Sequence, residues 1–199
     1  MKEKIKPVQT CTDSICRYFE RPGAVNTRQA LEIVCLRAAR PDISKIVIPT
    51  YSGKSVLMAA KMVDPAKIVA VTTVYGFKKP NAQLIKETTR SRLLAMGMQV
   101  VTAAHAFGGV GRSVRRKLGT YQVDEIIAYT LRIFGQGTKV AVEAALMAAD
   151  AGCVQADENI ISTGGSSSGI DTALVLQPAN TSSFLDVKIR EVICKPAFF

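Results

Sequence analysis

Residues 45–55 read Lys45-Ile46-Val47-Ile48-Pro49-Thr50-Tyr51-Ser52-Gly53-Lys54-Ser55, a β-branched run that passes straight into a turn of hydroxyls, one glycine and one lysine. A buried strand followed by such a turn gathers backbone N–H groups and hydroxyls at the carboxyl end of a sheet, and a helix after it adds the positive end of its dipole. The chain repeats the arrangement downstream in Asn159-Ile160-Ile161-Ser162-Thr163-Gly164-Gly165-Ser166-Ser167-Ser168-Gly169. There Gly164, Gly165 and Gly169 permit close approach of backbone to a ligand. Both turns suit a phosphate, and the crevice beyond the strand ends of an open α/β sheet is where ligands sit. The plainer readings, a serine helix cap with an exposed lysine and an ordinary surface loop, use the same residues.

Working outward from the first turn, strand and helix alternate. Ile46–Pro49 is a strand, Lys54–Met62 a helix ended by Asp64-Pro65, and Ile68–Thr72 a second strand. Asn81 is placed to cap a helix through about Met96, with Gly97 to end it, and Gln99–Ala103 is a third strand. A βαβαβ order with helical spacers argues for a parallel sheet. Upstream, Asn26-Thr27-Arg28-Gln29 looks like a capped start of a helix running to about Ala39. Downstream lie helices over Val110–Leu118, Gln122–Phe134 and Thr138–Ala149, then strands over Asn159–Thr163, Ala173–Leu176 and Lys188–Cys194. The short Gly/Ser turn between Ile161 and Ala173 suits an antiparallel hairpin at one edge, so the sheet is mixed. The expectation is one α/β domain over residues 1–199, with residues 1–25 as an N-terminal arm.

Composition narrows the classes. With 48% hydrophobic and 21% charged residues the chain is an ordinary globular one. No apolar run approaches the ~20 residues needed to span a bilayer, and the start shows no apolar secretory core, so the expected place is the cytoplasm. Cys11, Cys16, Cys35, Cys153 and Cys194 are an odd number without a C-x-x-C pair, and one histidine leaves too few soft ligands for zinc, so no metal is expected. Cys35, Cys153 and Cys194, among apolar neighbours, read as small buried hydrophobes.

Twenty-six Lys and Arg against sixteen Asp and Glu give a net charge of +10, which favours anionic partners. The densest cluster, Arg112-Ser113-Val114-Arg115-Arg116-Lys117, places Arg112, Arg115 and Arg116 on one helix face. It reads as a solvated face, an anion-facing edge of the pocket, or a nucleic-acid surface. Nucleic acid is disfavoured: no helix-turn-helix, RNP motif, G-x-x-G clamp or zinc finger is present, and aromatic residues are only 6%.

Ser52-Gly53-Lys54-Ser55 resembles the end of a Walker A loop, but the leading glycine would fall on Ile48, so this is no NTPase P-loop. Gly108-Gly109-Val110-Gly111 does not match G-x-G-x-x-G and reads as a connector. His105 sits just past a strand end, where it is either packed or part of a site. Thr72 closes the second strand, and Tyr75 and Gly76 lie in the loop after it, on the same edge of the sheet. Glu20, Glu143 and Asp171 are the nearby carboxylates, and no pair has a spacing that identifies acid–base work.

These residues carry a resemblance. The stretch Val47–Thr72, with Pro49-Thr50-Tyr51-Ser52-Gly53-Lys54-Ser55 and Ile68-Val69-Ala70-Val71-Thr72, looks like the C-terminal α/β domain of pyruvate kinase, where a T-K-S-G-R-S loop binds the phosphate of a sugar-bisphosphate effector. Glu158–Gly165 with Thr172 resembles that domain's last glycine-rich loop and hairpin. Tyr18–Gly23, Gly135-Gln136-Gly137, Met147–Asp150 and Glu191–Pro196 are similar to a stand-alone family called pyruvate kinase α/β domain-like. The resemblance implies a three-layer α/β sandwich, with a mostly parallel sheet and an antiparallel edge. It does not imply kinase activity, which pyruvate kinase carries on a separate barrel domain.

Members of that family are associated with flavin mononucleotide (FMN), so the resemblance implies an FMN-sized pocket. Thr50, Ser52, Gly53, Lys54 and Ser55 would face the phosphate, with Gly164, Gly165, Ser168 and Gly169 opposite. Tyr51, Tyr75 and Phe77 are possible walls for a flat ring, with Thr72, Gly76 and His105 nearby. Tyr51 stands where pyruvate kinase has a basic residue, which favours an aromatic ligand over a sugar bisphosphate. The competing expectations are a flavin-dependent enzyme, a regulatory module sensing a phosphorylated metabolite, and a basic nucleic-acid-binding protein.

Overall fold

The computed structural model describes residues 11–199, so the first part of the expected arm, residues 1–10, lies outside the described residues. The strands are β1 (Arg17–Phe19), β2 (Ile46–Thr50), β3 (Ile68–Thr72), β4 (Gln99–Thr102), β5 (Ile160–Gly164), β6 (Thr172–Gln177) and β7 (Lys188–Pro196). The helices are α1 (Thr27–Ala38), α2 (Lys54–Ala59), α3 (Glu87–Ala95), α4 (Val110–Leu118), α5 (Val123–Arg132) and α6 (Gln136–Asp150). The strands form one seven-stranded sheet in the order β1-β7-β6-β5-β2-β3-β4. β2 pairs in parallel with β3 and β5, and β3 with β4, while β5–β6 and β6–β7 are antiparallel. The α/β architecture and the hairpin are as expected, with Ile161 opposite Val175.

The two-residue period of the strands divides the core into two layers. Ile46, Ile48, Ile68, Ala70, Ile161 and Val175 face one side, where they pack with Leu31 and Val34 of α1, Val56 of α2 and Leu93 of α3. Val47, Val69, Val71, Ile160, Leu174 and Leu176 face the other, against Ala128 of α5 and Ala141, Ala145 and Leu146 of α6. The result is a helix–sheet–helix sandwich. α4 buries none of its residues and lies outside both layers.

Several local expectations are corrected. Asn81 starts no helix: it adopts a left-handed backbone (φ 57°), turning the chain, and α3 begins only at Glu87. The intervening loop is tied down by Gln83, whose amide donates to the Thr73 carbonyl at 2.7 Å and accepts from the Thr73 hydroxyl at 3.0 Å. Asn26 does not cap α1; its side chain donates to the Arg21 carbonyl at 2.6 Å, and a 3-10 turn over Ala24–Asn26 leads into the helix. α2 stops at Ala59 rather than Met62, with looser turns filling the remainder. The arm contributes an unexpected strand, since β1 pairs in parallel with β7, Arg17 opposite Cys194. Of the three cysteines expected inside, Cys194 is buried, whereas Cys35 and Cys153 are only partly so. No helix of the described residues is long and apolar enough to cross a membrane.

Candidate functional site

β2, β3, β4 and β5 run in the same direction, so the turns after them meet along one edge of the sheet. From β2 the order proceeds to β3 and β4 on one side and to β5 on the other. The turns after β2 and β5 therefore flank a topological switch point. A cleft of about 790 Å³ opens there. Thr50, Ser52, Lys54 and Ser55 line one side of it, and Gly165, Ser167, Ser168 and Gly169 belong to the same cleft.

In the first turn Gly53 takes a left-handed backbone (φ 82°) and leads into α2. Its N–H donates to the Thr50 hydroxyl at 2.8 Å, so Thr50 braces the turn from within. The N–H groups of Ser55 and Val56, in the first turn of α2, have no helical acceptor of their own. A side chain at Gly53 would collide with the Thr89 methyl of α3, so this glycine shapes the turn from behind the cleft.

Asp171 fastens the second turn. It is fully buried, and one carboxylate oxygen accepts from the Gly23 N–H at 2.7 Å and the Ser166 N–H at 3.0 Å. The other oxygen accepts from the Thr172 hydroxyl at 2.8 Å. Nearby, the Ile170 N–H donates to the Thr27 hydroxyl at 3.0 Å, linking the turn to the start of α1. One carboxylate thus ties the glycine-rich rim to the segment entering the first helix.

The far wall is the amino-terminal half of α6, and there the chemistry is concentrated. α6 is apolar and buried almost throughout, yet carries Lys139 and Glu143 one turn apart on the same face. Glu143 Oε2 accepts from Lys139 Nζ, and Oε1 accepts from the Phe107 N–H at 3.0 Å. His105 Nδ1 stands 3.5 Å from Glu143 Oε2, and His105 Nε2 is buried with no hydrogen-bond partner among the described residues. Burial pushes the Glu143 carboxyl up, but the His105 contact and the Lys139 ammonium outweigh it and hold it below the usual carboxylate range. Burial first, with Arg132 and Arg112, lowers the Lys139 pKa against the raising effect of Glu143. Lys139 and Glu143 offset each other, and Arg112 and Arg132, which line the cleft beside them, leave this wall electropositive.

The expected site residues divide accordingly. Thr50, Tyr51, Ser52, Lys54, Ser55, Thr72, His105, Gly165, Ser168 and Gly169 all line the cleft. Thr72 spends its hydroxyl inside the sheet, 2.6 Å from the Thr102 hydroxyl and donating to the Val101 carbonyl at 3.1 Å. Gly53 and Gly164 lie behind the lining; a side chain at Gly164 would overlap the Gly137 carbonyl, so this residue lets α6 approach the end of β5. Gly76 lines a separate cavity of about 260 Å³, and Tyr75 is exposed and lines neither. Sequence reasoning passed over Lys139, Arg132 and Gln136, all in the cleft wall. The available signal was two opposite charges four residues apart within an otherwise apolar helical stretch.

The expected single basic face of α4 is split. Arg115 turns to α5 and pairs with Glu125 at 2.8 Å, whereas Arg112 and Arg116 line the smaller cavity. Arg112 lies over the Phe77 ring, 5.7 Å from its centre, and Phe77 stacks on His105 at 5.3 Å. A family model described as "Pyruvate kinase, alpha/beta domain" matches residues 28–176, the span from α1 to the end of β6 that holds both glycine–serine turns.

Proposed function

This chain belongs to the pyruvate kinase alpha/beta domain family, and from that premise we propose that the cleft binds a phosphate-bearing small molecule, FMN. One observation carries the reading: the two glycine–serine turns, more than a hundred residues apart in sequence, line the same cleft. Its volume of about 790 Å³ falls within the ~300–1,000 Å³ of small-molecule sites. The donor set fits the group. Ser52, Lys54, Ser55 and Ser168 offer hydroxyls and a cation to a phosphate, and Tyr51, Met58, Phe77, Leu84 and Met147 offer apolar walls to a flat ring. Gln136 and Lys139 supply hydrogen-bond donors for the polar edge of such a ring.

When bound, FMN supplies hydride and single-electron transfer. The chain's own contribution is binding and electrostatics. Lys54 and the first turn would hold the phosphate end, and Arg112, Arg132 and Lys139 would present positive charge to the rest of an anionic ligand. His105, held against Glu143 and stacked on Phe77, is the side chain placed to hold or pass a proton at the floor of the cleft.

Titration of FMN and of riboflavin, which lacks the phosphate, followed by quenching of flavin fluorescence, tests this reading. FMN should bind at least tenfold more tightly than riboflavin. Lys54→Glu should weaken FMN by more than tenfold, roughly 1.4 kcal/mol, and leave riboflavin unchanged. Equal affinity for the two flavins, or no binding of either, would overturn it; saturable binding of a sugar bisphosphate in place of flavin would favour a regulatory module.

A further inference from the structure

The smaller cavity beside the cleft, about 260 Å³ in volume, is not needed for the reading above. It is lined by Arg112 and Arg116 of α4, Gly108 and Gly109, Gly76 and Phe77 of the loop after β3, and His105. Arg112 and Arg116 are one helical turn apart and face it together, while Gly111 and Arg115, also one turn apart, face α5. On that side Glu125 pairs with Arg115, and Asp124 packs so closely on Gly111 that a side chain there would overlap it.

Among the described residues, neither Arg112 nor Arg116 pairs with a carboxylate. No acid is among the residues lining the cavity, and Glu143, which reaches His105 of its wall, is committed to Lys139, the Phe107 N–H and His105. The Phe77 ring beneath Arg112 helps to orient its guanidinium, so part of its ordering cost is met before any ligand arrives. One guanidinium oriented by a ring and a second, exposed one, neither paired with an acid, in a cavity below the ~300 Å³ of drug-sized sites, suit a small oxyanion and not a nucleotide. Phe77, His105 and Arg112 line both spaces, so the cavity and the cleft share a wall.

We propose that this cavity is a second anion site, which takes the carboxylate or phosphate group of a small oxyanion-bearing substrate and seats it beside the ligand of the main cleft. The adjacency to a bound ligand rests on the reading of the cleft given above; the anion site itself does not. Arg116 lines only the smaller cavity, so it can be changed without touching the cleft. Lys117 is exposed, lines neither space, and is the control for loss of one positive charge.

Calorimetric titration with inorganic phosphate, and separately with propionate, tests the proposal. Arg116→Gln should abolish or weaken by at least tenfold one saturable oxyanion site, while FMN quenching stays at the parent value. Lys117→Gln should leave that site within about twofold, and Lys54→Glu should leave it intact even where it removes phosphate from the main cleft. The probe bound more tightly identifies the group as phosphate or carboxylate. Binding unaffected by Arg116→Gln, an equal loss in Lys117→Gln, or no saturable site outside the main cleft would each overturn the proposal. Loss of FMN binding alone, with the Arg116-dependent site retained, would remove the reading of the cleft and leave the second site standing.

Discussion

Glu143 sets the charge of the cleft wall, and its burial makes it a stability element as well. A carboxyl held below its ordinary pKa binds fewer protons in the folded chain than in the unfolded one. Its stabilising share is therefore complete above about pH 4.3 and is lost as pH falls through the lower folded value. Glu143→Gln breaks a buried pair, at a cost of about 3 kcal/mol near neutral pH. Urea midpoints of parent and variant should differ most at pH 7 and converge on acidification below about pH 4; a constant gap at every pH would remove Glu143 from the acid response. At this scale the sequence was legible where chemistry is local. Thr50, Ser52, Lys54 and Ser55 announce themselves in one turn. Lys139 and Glu143 leave a trace in their four-residue spacing, but His105 joins them only because the loop after β4 reaches α6, a contact between segments that no local pattern records.

Among the elements, the long strands and helices were legible from their periods, because burial on one face or both leaves a regular trace. The start of α3 was not: Asn81 looks like a cap, but its left-handed backbone and the Gln83 bonds to Thr73 hold residues 73–86 as a loop. Glycines show the same divide between local and distant causes. Gly97 has a left-handed φ of 85° and open space where a methyl group would stand, so Gly97→Ala should cost only about 1 kcal/mol. Gly164 lies inside β5 against the Gly137 carbonyl, so Gly164→Ala must push α6 off the sheet and should cost about 3 kcal/mol or more. Chemical denaturation of the two variants distinguishes these cases, and comparable small losses would mean that the α6–β5 contact yields easily. In sequence both were glycines in turn-like settings, and only the packing separates them.

For the whole molecule, the matched span of residues 28–176 ends with β6, so β1 and β7 both fall outside it. They pair with each other and complete one side of the sheet, with β1 covering the edge of the longer β7. A three-residue strand is too short for any period, which is why the arm's part in the sheet was not legible. The arm is also joined to the cleft, because the Asp171 carboxylate that holds Ser166 holds Gly23 too. Gly23 is outside the cleft lining, yet any ligand that steadies the glycine-rich rim steadies its acceptor. The Gly23 amide should therefore exchange its hydrogen with solvent more slowly when the cleft is filled, and an unchanged rate would show the two to be independent. A single buried acid makes the Gly23 amide a gauge of occupancy, able to report on a ligand from outside the cleft lining.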